Sequence, residues 1–150
     1  MAYAVPIAVF LHLVGVIVWV GGMTLAHFCL RPALADLSPQ LRLPVAEGVF
    51  SRFFNLVGTA IILILLSGGY LFPKFGGAQA PWPVHAMVVI GIVMMLIYGH
   101  IRFATFPKLR RAVQAQKWPE GAIALGRIRR LVVVNLVLGY VTVALATLAR

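Results

Sequence analysis

The sequence predicts an all-α integral membrane protein, a four-transmembrane-helix bundle with both termini on the periplasmic side. Hydrophobic residues make up 62% of its 150 positions and charged residues 11%, whereas about a quarter of a soluble domain is charged. Four apolar stretches each approach or exceed the roughly 20 residues that cross a bilayer. The basic residues, finally, cluster in two of the connections between those stretches. Lipid gives backbone groups no partners, so stretches of this kind must be helical. The alternating polarity of a membrane barrel is absent.

The first helix is expected at about 6–30, with Pro6 in its first turn and Arg31-Pro32 ending the run. The second covers about 53–72, with Gly68-Gly69 near its end and Pro73 after it. The third runs over about 84–106 and is closed by Pro107, and the fourth over about 129–148. Residues 1–150 read as one membrane domain. The opening MAYAVPIAVF has no positive n-region, which predicts a retained anchor rather than a cleaved signal peptide.

Eleven of the thirteen basic residues lie on one side of this arrangement: Arg31, Arg42, Arg52, Arg102, Lys108, Arg110, Arg111, Lys117, Arg127, Arg129 and Arg130. Lys74 and Arg150 lie on the other. The positive-inside rule then predicts a multi-pass protein of the bacterial inner membrane, with the basic side cytoplasmic. The net charge of +10 is thereby a topology signal. No zinc finger, groove-length basic helix or aromatic-basic alternation supports a nucleic-acid partner. Cys29 is the sole cysteine, so no intrachain disulfide forms.

Four histidines stand out. His12 and His27 lie fifteen residues apart in the first helix, and His85 and His100 fifteen apart in the third. That spacing is about 22 Å along a helix. Helices one and three run in the same direction, which predicts His12 at the depth of His85 and His27 at the depth of His100. The geometry suits two stacked bis-imidazole sites, one per leaflet, each holding a haem b. Trp19 falls between the first pair, and the arginines Arg31, Arg52 and Arg102 are candidate partners for haem propionates. The alternative is that these are boundary histidines at the interface. Intramembrane ionisable groups are costly, however, and usually functional.

Bis-histidine ligation saturates iron, so the function this predicts is electron transfer, with a quinol or redox protein as partner and a homodimer as one possible assembly. Catalytic residues are not identifiable, and redox chemistry is favoured over hydrolysis or group transfer. Copper is the competing metal. Met23, Met94, Met95, His27 and His100 are soft or borderline donors for Cu(I), though adjacent Met94 and Met95 diverge by about 100° on a helix. Cys29 points away from His27 and is not counted as a ligand. Asn55 with Thr59, and Asn135 with Gly139 and Thr142, form small-polar stripes best read as packing. Trp82 reads as an interfacial anchor.

The run FLHLVGVIVWVGGMTLAHFCLRPAL, from Phe10 to Leu34, resembles the opening helix of CopD-type membrane domains, through His12, Trp19, Gly21-Gly22 and Arg31-Pro32. The segment HAMVVIGIVMMLIYGHIRFATFPKLRRAV, from His85 to Val113, is compatible with the same family. That resemblance implies a role in copper handling, as a copper permease or copper-binding accessory protein. His12 and Trp19 also fit the opening-helix pattern of the HemJ protoporphyrinogen oxidases, which implies His12 as a haem ligand. Val9, Phe10 and Leu11 precede His12 where that family commonly carries a lysine.

Overall fold

Four long helices form the computed structural model of the chain, which describes residues 3–149. Helix α1 spans Ala4–Ala33, α2 Pro39–Lys74, α3 Trp82–Gln114 and α4 Trp118–Leu148, and each is long and apolar enough to cross a membrane. The protein is thus an all-α bundle built for a lipid bilayer. Arg150, one of the two basic residues expected on the outer side, lies outside the described residues. Outward positions carry large apolar side chains, among them Ile17, Leu25, Leu66, Leu96 and Phe103, as lipid-facing surfaces do.

The helices outrun their expected limits at the basic end. α2 begins at Pro39 rather than near 53, α3 continues past Pro107 to Gln114, and α4 begins at Trp118 rather than near 129. The added turns are amphipathic. Leu43, Ala46 and Phe50 in α2, Phe106, Leu109 and Ala112 in α3, and Gly121, Ala124 and Ile128 in α4 are buried at helical spacing. Their outward faces carry the charges that made these segments read as connections.

Pro107 does not close α3 because the helix widens ahead of it. A proline lacks an N–H, and its ring crowds the carbonyl four residues earlier. A π turn over Ile101–Thr105 absorbs that conflict. The same device, Ala26–Leu30, precedes Pro32 in α1. Each π turn ends two residues before its proline, and the chain stays helical through both. A third π turn, Ile17–Gly21, holds Trp19.

α1 packs along α2 and α3 along α4, α1 also meets α4, and α2 meets α3 toward the basic end. α2 and α4 approach each other across the middle. α1 and α3 therefore stand on the long diagonal, without an extended contact of their own. Most of the buried core, from Trp19 and Met23 through Phe54, Ile101 and Phe106 to Leu125 and Ile128, lies in the half toward the basic end. Close approach is set by small residues. A Cβ on Gly15 would stand 2.7 Å from Cγ1 of Ile64 and 3.0 Å from the carbonyl oxygen of Ala60, so α1 reaches α2 there through a glycine.

Candidate functional site

Each of the four histidines has a separate setting. His12 is half-buried, and its Nδ1 lies 3.0 Å from Ser67 Oγ on α2. The Ser67 hydroxyl donates its one hydrogen to the carbonyl of Leu63, so its oxygen accepts from the His12 Nδ1–H. In a neutral imidazole the lone pair then belongs to Nε2. His85 is half-buried with its ring edge-on to Phe72 at 5.8 Å. His27 lines a crevice between α1, α2 and α4. His100 is exposed on the outside of α3.

Trp19 is buried, and its indole meets the Tyr98 ring edge-on at 6.4 Å. This is where side chains of α1 and α3 touch across the bundle. Tyr98 in turn donates to the Phe54 carbonyl at 2.7 Å, and a Cβ on Gly58 would stand 3.0 Å from its hydroxyl. Sequence reasoning missed Tyr98 and Ser67. Both were isolated polar groups in apolar runs, and their roles depend on which neighbouring helix they reach.

The three candidate propionate partners are used differently. Arg102 Nη2 donates to Asn55 Oδ1 at 3.3 Å, linking α3 to α2. Arg52 is exposed and reaches back to the Gly48 carbonyl of its own helix at 3.4 Å. Arg31 lines the crevice with His27 and Arg129. Beyond Arg102 the same α2–α3 seam continues through Arg110, which donates at 3.0 Å to both Glu47 Oε1 and Ser51 Oγ.

The interior also holds two thioethers. Met23 is 2% exposed, Met94 3% and Asn135 1%. Asn135 Nδ2 donates to the Met94 carbonyl at 3.3 Å, while its Oδ1 is buried without a partner among the described residues. Thr142 approaches the Met94 sulfur at 4.0 Å. Met95 is less buried than Met94, as the angular divergence of adjacent residues requires. Cys29 is exposed. The Asn135, Gly139 and Thr142 stripe packs on α3 and α1: a Cβ on Gly139 would stand 2.9 Å from Val20 and 3.4 Å from Met94 Cε.

The family described as CopD, copper resistance protein D, matches residues 47–149. No curated protein and no solved structure matches the chain. The match covers most of α2 and all of α3 and α4, whereas the motifs that suggested the family from sequence were concentrated in Phe10–Leu34. No finding supports the HemJ relation.

These findings overturn the expectation of two bis-histidine haems and, with it, the cytochrome b and electron-transfer reading. Among the described residues, no group of three or more His, Cys, Asp or Glu side chains could hold a metal ion. The site fails the fit to haem on its own geometry. α1 and α3 are diagonal rather than facing, the Trp19 and Tyr98 rings meet between them, and His100 is exposed. Copper as a resident, protein-bound cofactor fails with the same absence of a ligand cluster among the described residues. The quinol or redox partner was tied to the haem reading, and no finding supports it. The error came from depth: equal spacing along two parallel helices fixes height, not facing.

Proposed function

Since the chain belongs to the CopD family, which matches it over more than half its length, we propose that it handles copper at the membrane, as a permease or as an accessory to one, with the metal as cargo. The family match carries this reading. The chemistry of the interior supports it. Met23 and Met94 offer thioether sulfurs, which suit Cu(I), and Asn135 adds an amide oxygen that no other group uses. His12, whose Nε2 lone pair is free of the Ser67 bond, stands in the less densely packed half and is the group we assign to copper entry.

We place the basic end of the bundle in the cytoplasm and both termini outside, in a bacterial inner membrane, on the asymmetry of Lys and Arg. Cu(I) would then meet His12 and His85 from the outer side. Uptake of Cu(I) into proteoliposomes under reducing conditions tests the reading. Protein-dependent uptake that falls about tenfold in Met94→Leu, equivalent to ~1.4 kcal/mol, and is unchanged in Met95→Leu is the expected result. Equal uptake in protein-free vesicles, or equal loss in both variants, would sink it.

A further inference from the structure

We propose that the crevice at the basic end, between α1, α2 and α4, binds a phosphate-type anion: the headgroup of an anionic phospholipid or free phosphate. Arg31, Arg129 and His27 line it beside the apolar side chains of Leu34, Phe50 and Val132. Arg129 is half-buried, and Arg42 on α2 lies one helical turn from Ala46, which also lines the crevice. Two guanidinium groups, from α1 and α4, thus line the crevice, and a third stands one turn beyond it on α2. Among the described residues, none of the three is within ion-pair distance of a carboxylate; the two ion pairs found join Arg110 to Glu47 and Lys117 to Glu120.

That arrangement is costly by itself. Like charges repel in the low-dielectric margin of a bundle, and buried charges are ordinarily paired. Arg42 makes the cost specific, since its Nε is buried with no acceptor among the described residues. A buried donor of a charged group left unsatisfied points to a ligand or ion that completes it. The completing group must be anionic and must accept several N–H donors. Phosphate oxygens match the planar guanidinium fork in two-point contacts. The enclosed space is about 10 Å³, close to what one water fills. One phosphate oxygen can therefore enter, while the rest of the group stays at the mouth.

The position favours lipid as the source. Arg31 ends the apolar part of α1 and Arg129 begins that of α4, at the depth where headgroups lie. Basic pockets between membrane helices on the cytoplasmic side are suited to anionic headgroups. The exposed groove elsewhere at this end, lined by Lys108, Arg111, Lys117 and Arg127, contains Glu120 and has no buried unsatisfied donor among the described residues.

Purified protein in neutral detergent is titrated in two arms. The first uses inorganic phosphate against chloride at equal ionic strength. The second uses short-chain phosphatidylglycerol against phosphatidylcholine. Saturable single-site binding of phosphatidylglycerol, weakened about tenfold in Arg129→Gln and in Arg42→Gln but unchanged in Arg130→Gln, is expected. Binding confined to inorganic phosphate with the same mutational pattern would assign the site to the free ion. Arg129→Lys, which keeps the charge without the fork, should bind with intermediate affinity and guards against misfolding of the neutral variants. No saturable binding in either arm, or equal weakening by Arg130→Gln, overturns the proposal. Copper uptake is read separately, so failure of this site leaves the copper reading standing.

Discussion

Ser67 on α2 orients His12 on α1: it gives its hydroxyl hydrogen to Leu63 and accepts the His12 Nδ1–H at 3.0 Å. The imidazole is held by one nitrogen and presents the other. This contact ties the less densely packed half of the bundle across the α1–α2 seam. Ser67→Ala should cost about 0.6 kcal/mol of stability, typical for a hydrogen bond between membrane helices, measured by unfolding in mixed micelles. If His12 receives copper, the same substitution should lower Cu(I) uptake several-fold, and His12→Gln at least as much. Unchanged uptake in both would remove His12 from the path.

Gly15 and Gly21 make a matched pair for testing the packing. A Cβ at Gly15 would collide with Ile64 and crowd the Ala60 carbonyl, while one at Gly21 would meet nothing within 4 Å. Gly15→Val should therefore destabilise by roughly 1–3 kcal/mol through forced separation of the helices. Gly21→Ala should be neutral, or stabilising by up to about 1 kcal/mol from helix propensity. Unfolding midpoints of the two variants against wild type give the answer, and equal midpoints would show that α1 does not approach α2 at Gly15.

Asn135 separates stability from function. Its Oδ1 is buried without a partner, so replacing the amide by an apolar group of similar size removes an unsatisfied acceptor. Asn135→Leu should leave the unfolding midpoint unchanged or raise it. The same variant should lose Cu(I) uptake if the amide oxygen serves the cargo. A large drop in midpoint would mean that the bond to the Met94 carbonyl dominates the site.

Orientation can be read from two single-cysteine variants in a Cys29→Ser background. Ala78→Cys lies between α2 and α3, and Ala115→Cys between α3 and α4; both positions are exposed. A membrane-impermeant maleimide added to intact cells stripped of outer membrane should label the first and spare the second. The reverse pattern would invert the bundle and place His12 on the cytoplasmic side.

The fold class was legible because hydrophobic length and the placement of charge are properties of the chain itself. Four apolar stretches, the gathering of basic residues at one end of them, and the outward Trp82, which is exposed at the start of α3, could be read without neighbours. Helix ends at Pro39, Gln114 and Trp118 could not. There an amphipathic face carries charges outward, and its burial exists once Leu43 meets Gly121. Pro107 misled for a related reason, since a π turn ahead of it lets the helix continue. The histidine spacing gave depth along each axis, but facing depends on the order of helices around the bundle, which side-chain packing sets. For the same reason Arg31 and Arg129, far apart in sequence, line one crevice in the tertiary structure alone.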